Sequence, residues 1–152
     1  MKITIVAVGR IRRGPLEALC REYGDRLPWS LAIQEVEAKK RLEGDALKAE
    51  EASLIAARIP DGAVLIALDE RGKGLSSENL ADRIGTWRDQ GRGEICFVIG
   101  GADGLDPSIR DRADLTLAFG PQTWPHMLAR VMLVEQIYRA ERILAGHPYH
   151  RA

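Results

Sequence analysis

The chain has 152 residues, 45% hydrophobic and 29% charged, and its 22 Lys and Arg balance its 22 Asp and Glu. That suffices for one domain over residues 1–152 with its own core and excludes low-complexity disorder, while two cysteines, Cys20 and Cys96, exclude a disulfide scaffold. No apolar run nears the roughly 20 residues of a membrane span, MKITIVAVGRIRRG reads as a first strand rather than a signal peptide, and zero net charge argues against coating nucleic acid by bulk charge; a cytoplasmic protein without a membrane partner is expected.

Apolar runs and helical periodicity alternate along the chain. Residues 2–8 (KITIVAV) form a β-branched strand ended by Gly9. Pro15 opens a helix with Leu16, Leu19, Cys20, Tyr23 and Leu27 on one face, and Pro28 closes it. Residues 31–36 make a weaker edge strand. Asp45 is placed to cap a helix running to about residue 59. Residues 63–68 (AVLIAL) are a short buried strand, followed by a turn-rich segment over 69–74. Ser76 or Ser77 caps a helix with Leu80, Ile84 and Trp87 on one face. Residues 95–99 (ICFVI) are the most apolar strand and break at Gly100-Gly101. Asp106-Pro107 opens a short helix, 115–119 is a fifth strand, and the last helix spans about 125–144 before Gly146. Five strand–helix units in succession imply an α/β fold, a three-layer sandwich around a mostly parallel sheet of five or six strands.

Apolar residues surround the last helix, from Leu128 through Val131, Leu133, Val134 and Ile137 to Leu144. A helix apolar on every side must be covered on every side. Either its second face packs on another subunit, which is the reading adopted, or it is sunk between the sheet and its neighbours. The charge is also uneven: residues 1–41 carry a net +4, 42–114 a net −6 and 115–152 a net +2.

Open parallel sheets bind ligands beyond the carboxyl ends of their strands, so the candidate loops are 9–14, 69–74, 100–106 and 120–125. The first loop, GRIRRG, lacks the middle glycine of a dinucleotide fingerprint, and no Walker A loop exists. The glycine-rich loop is instead GGADG, after the fourth strand. Asp103 and Asp106 are spaced for capping rather than for a metal, and no metal is expected. Both cysteines lie on inward positions and read as small core residues, which removes thiol catalysis. The C-terminal HPYHR concentrates two imidazoles, a phenol and a guanidinium, groups that stack on bases, bind phosphate and move protons.

Taken together, the VAVGR strand end, LDERGK at 68–73, IGGADG at 99–104, WPHMLARVMLVEQIYRA at 124–140 and the terminal HPYHR resemble the bacterial 23S rRNA pseudouridine-N3 methyltransferase family. These are small single-domain members of the SPOUT superfamily, and the resemblance runs over essentially the whole chain. It implies a C-terminal trefoil knot, which periodicity cannot reveal and which departs from the usual unthreaded chain. It implies S-adenosylmethionine as methyl donor, with Leu68 lining the pocket and Gly100 and Gly101 letting the donor lie against backbone. Phe119, Gly120, Pro121, Gln122, Thr123 and Trp124 would wrap its adenine. Trp124 stands where Leu is commoner in the family, and Gly120-Pro121-Gln122 is stiffer than the usual form. A homodimer is implied, with Tyr149, His150 and Arg151 reaching the active site and 23S rRNA within the assembled ribosome as substrate.

Methyl transfer to a pyrimidine N3 needs alignment of nitrogen, carbon and sulfur and loss of the imide proton. His150 or Tyr149 is assigned to that proton and Arg151 to phosphate or the developing charge, with His126 a second candidate base. A related knotted tRNA methyltransferase, a non-catalytic ribosome-binding factor of the same fold and a flavodoxin-like regulatory domain are the alternatives.

Overall fold

The aliphatic runs of this chain have no polar face, as strands buried on both sides require. A computed structural model describes residues 1–150, His150 by its backbone alone. Its strands are β1 (Lys2–Val8), β2 (Ser30–Val36), β3 (Val64–Gly74), β4 (Glu94–Ile99) and β5 (Leu115–Ala118), in the sheet order β2-β1-β4-β3-β5. All pairings are parallel, and one row across the sheet reads Ile33, Ile5, Phe97, Ile66, Leu115. The helices are α1 (Pro15–Arg26), α2 (Gly44–Ala56), α3 (Ser77–Asp89), α4 (Pro107–Arg112) and α5 (His126–Leu144). Alternate side chains of each strand enter two cores. Ile3, Ile5 and Ala7 meet α1, α3 and α5, while Val6 and Val8 meet α2 and α4. The sandwich and its five parallel strands are as expected.

Capping follows the sequence at two helices and departs from it at a third. Ser76 accepts the Asn79 N–H and Asp106 the Ser108 N–H, each at 3.0 Å. At α2, however, Asp45 does not cap. The helix already begins at Gly44, and Asp45 sits in its first turn, 3.6 Å from Lys48, where a carboxylate favours the helix dipole. The turn-rich segment 69–74 is also different: β3 does not end at Leu68. It bulges where Asp69 accepts the Arg71 N–H at 2.9 Å, then pairs again, Lys73 with Leu117 and Gly74 with Ala118. An aspartate turn can sit inside an irregular strand as readily as at its end.

The last helix is covered in large part by its own chain. Every residue of α5 is buried or half-buried, between α1 on one side and α3 on the other. Tyr138 stacks at 6.1 Å on Tyr23 of α1, and Gln136 accepts the Ser77 hydroxyl of α3 at 2.7 Å. α1 and α3 account for the buried part of this apolar pattern, while Leu128 and Met132 stay half-buried and keep one apolar strip of the helix open, the face the sequence assigns to a second subunit. No helix among the described residues is long and apolar enough to cross a membrane. Ile137, fully buried at the centre of α5, is expected to cost about 2–5 kcal/mol on Ile137→Ala, read as a lowered urea midpoint with unchanged slope.

Candidate functional site

Because every strand runs the same way, their carboxyl ends share one edge. A cavity of about 520 Å³ opens there among the bulge of β3 and the loops that follow β4 and β5, bounded by the first turn of α5. That volume is ordinary for a small-molecule site. Leu68, Asp69 and Glu70 line it from β3, and residues 100–104 from the loop after β4. Phe119, Gly120, Gln122, Thr123 and Trp124 line it from the loop after β5, with His126 and Ala129 of α5. Of the nine residues expected at the donor site, eight meet around this cavity and Pro121 does not line it.

Two side chains tie the loop after β5. The Trp124 indole N–H donates to the Phe119 carbonyl at 2.9 Å, and the Thr123 hydroxyl donates to Glu70 at 2.8 Å. Trp124 stays 39% exposed, so its ring is a cavity wall and not core.

The glycines after β4 are demanded by the protein itself. A Cβ on Gly100 would fall 2.8 Å from the Gly104 carbonyl, and one on Gly101 would fall 3.1 Å from a Glu51 oxygen and 3.2 Å from Val8. Their open side faces the chain's own atoms, while their backbone borders the cavity. Glu51, from α2, is only 8% exposed and has no hydrogen-bond donor among the described residues. Nothing in the sequence singles it out, because KAEEAS reads as a solvated helix face.

The candidate proton-handling groups are divided. His126 lines the cavity, its ring beside Gly9, where an added Cβ would lie 3.3 Å from Nε2. One turn further, Arg130 is 1% exposed; it donates to Glu35 at 2.5 Å and to the Gly9 carbonyl at 3.0 Å. Glu35 also accepts the Ile11 N–H at 2.7 Å. Burial pulls the Glu35 carboxyl upward, but the Arg130 and Ile11 hydrogen bonds and the charges of Arg130 and Arg10 outweigh it and hold the group below its ordinary range. Tyr149 lies elsewhere. Its hydroxyl donates to Glu135 at 3.1 Å, its ring meets Tyr138 at 4.7 Å, and Arg139 lies over it at 5.0 Å. Burial and the Glu135 charge raise its pKa, so the phenol keeps its proton. Tyr149 does not line the cavity of its own chain. The His150 side chain and Arg151 lie outside the described residues. Both cysteines are buried, and burial pushes the Cys96 thiol up to about 12.

Burial, then the nearby Asp103 charge, lifts the Glu51 carboxyl above the carboxylate range. Folding therefore takes up a proton at Glu51 once the pH passes the ordinary glutamate value of about 4.3, and the stability it contributes falls as pH rises toward the raised value. Glu51→Gln is expected to melt with the wild type near pH 4 and above it near pH 8. Parallel melting curves across that range would contradict this account of Glu51.

The model of a family described as "Predicted SPOUT methyltransferase" matches residues 1–150. A protein of Rhodospirillum centenum called ribosomal RNA large subunit methyltransferase H is 62% identical over 152 residues, covering both chains completely. One of the same description from Paramagnetospirillum magneticum is 50% identical over 99% of each chain. Among solved structures, a probable methylase family protein from Haemophilus influenzae aligns with TM-score 0.56 at 13% identity, over 95% of this chain and 68% of that one. The SpoU methyltransferase AviRb from Streptomyces viridochromogenes, solved with AdoMet, aligns with TM-score 0.52 at 17% identity, over 94% and 61%. At such identities these two speak for the fold alone.

Proposed function

Since the chain belongs to the SPOUT methyltransferase family, we propose that it moves the methyl group of S-adenosylmethionine to N3 of a pseudouridine in 23S rRNA on the assembled ribosome. The observation that carries this is the full-length 62% match to a ribosomal RNA large subunit methyltransferase, and the cavity at the carboxyl edge of the sheet supports it. The trefoil knot, the single domain over 1–152, the cytoplasmic site of action and a homodimeric state belong to the same proposal.

The cavity suits the donor on chemical grounds. S-adenosylmethionine carries a sulfonium, an ammonium and a carboxylate, a net positive charge, and the walls supply Glu70 and Asp103 beside Arg71, with Asp69 already paired to Arg110 at 3.9 Å. When bound, it supplies a methyl carbon on a good leaving group. The polypeptide then has to hold, align and deprotonate. Backbone groups of 100–104 and 119–124 and the Trp124 ring hold the adenosyl part. The carboxylates match a positive charge that disappears once the methyl has left, so they loosen their hold on the neutral product. N3 is an imide: its lone pair forms the new N–C bond as its proton passes to a base, and the old C–S pair stays on sulfur.

His126 is the base candidate at the cavity of its own chain. Tyr149, His150 and Arg151 act in this proposal on the cavity of a second copy, which is the reason for a dimer. Two inactive variants separate these roles. His126→Ala and a chain truncated after Gly146 should each lose most transfer of labelled methyl to ribosomes, and mixing them should restore part of it. A truncated chain with full turnover and full RNA affinity overturns the role of the tail, and no rescue on mixing overturns its action in trans.

The modified base should map to N3 of a pseudouridine, and naked transcript should be methylated far more slowly than intact ribosomes. Comparable rates on the two would count against a ribosomal substrate. Trp124→Phe, which keeps a ring but loses the donor to the Phe119 carbonyl, is expected to raise KM for the methyl donor several-fold with kcat little changed.

A further inference from the structure

Two basic runs that are far apart in sequence emerge side by side from the sheet. β1 and β2 pair through Val8 and Val36, so the segments 9–14 and 37–43 leave the same carboxyl edge as neighbours. They carry Arg10, Arg12, Arg13, Lys39, Lys40 and Arg41, all exposed. Arg10 lies 3.6 Å from Glu37, and the other five make no ion pair among the described residues.

Solvated lysines and arginines are common, and exposure alone argues nothing. Here the first run is braced. The Gly9 N–H donates to the Val36 carbonyl at 2.8 Å, the Ile11 N–H to Glu35, and the buried Arg130 to the Gly9 carbonyl. Gly9 also abuts His126, so the basic run begins at the wall of the cavity. Arg13, four residues on, starts at most about 14 Å from it along the chain. The cavity side of the edge carries Glu70 and Asp103 beside Arg71, with Asp69 buried against Arg110 at 3.9 Å, and lacks such a basic run.

Resting on the function proposed above, we infer that segments 9–14 and 37–43 form a phosphate-docking ledge. It grips the RNA backbone beside the target base, and the Arg130–Glu35 pair fixes it at a set distance from His126. A cationic donor and a polyanionic substrate thereby meet opposite halves of one sheet edge.

The test uses Arg12→Gln/Arg13→Gln/Lys40→Gln in the full chain. Binding to ribosomes is measured from about 50 to about 200 mM salt, beside methyl transfer and calorimetry with S-adenosylmethionine. Wild-type affinity should fall steeply with salt. The triple variant should bind about tenfold or more weakly at the low-salt end, with the slope of log affinity against log salt reduced by about 2–3. Donor affinity and melting temperature should not move. Unchanged ribosome affinity overturns the ledge, and so does weaker binding with an unchanged slope, which would place a protein rather than RNA phosphates on this surface. Wild-type ribosome binding without any methyl transfer would instead strike the functional reading and leave the ledge to be judged by the slopes.

Discussion

Because all five strands pair in parallel, each connection must carry the chain back across a face of the sheet, and both faces end up under helices. That is why the central runs of β1, β3 and β4 are apolar and why two separate cores form around Phe97 and Val98. It also directs every strand's carboxyl end to one edge. The bulge of β3 and the loops after β4 and β5 then meet at that edge, and 68, 100 and 119 line one cavity. The segments after β1 and β2 fall at the same edge on its other half. Cavity and basic surface are both consequences of strand direction.

Within that frame, Arg130 sets the relation between the two halves. Desolvating a guanidinium is costly, and one good hydrogen-bonded carboxylate is the usual condition for tolerating it. Glu35 meets the condition from β2, and the Gly9 carbonyl takes a second N–H from the loop after β1. Since Arg130 lies one turn beyond His126, these contacts join the start of α5 to the β1–β2 side of the edge. The Arg130 Nε has no partner among the described residues, so the pair is incompletely satisfied, as an arrangement kept for geometry rather than for stability would be.

The fold was legible where burial or local chemistry acts alone. Apolar runs marked all five strands, and Ser76 and Asp106 marked two helix starts, because a strand buried on both faces and a capped first turn leave local traces. The bulge in β3 was not legible, since Asp69 turns look alike inside a strand and at its end. The last helix was legible only in part. Periodicity says that Val131 and Ile137 must be covered but not by what, and α1 and α3 do the covering. At the site, motif resemblance brought eight of nine donor-site positions to one cavity. It did not bring Glu51, whose importance arises from meeting Gly101 across 50 residues of chain. It also did not reveal that Tyr149 turns its hydroxyl toward Glu135, away from the cavity of its own chain.

The equality of acidic and basic residues acquires a physical meaning from this arrangement. A uniformly basic chain would bind any exposed RNA, and the ribosome offers a large excess of wrong sites. In the proposed arrangement, Glu70 and Asp103 at the cavity disfavour phosphate at the donor position, and the basic residues beside it attract the RNA strand. The same total charge spread evenly would do neither. Net neutrality removes the long-range pull, so discrimination falls to short-range contacts across one edge, where the ion pair of the buried Arg130 with the solvent-accessible Glu35 sets the distance between His126 and the basic residues.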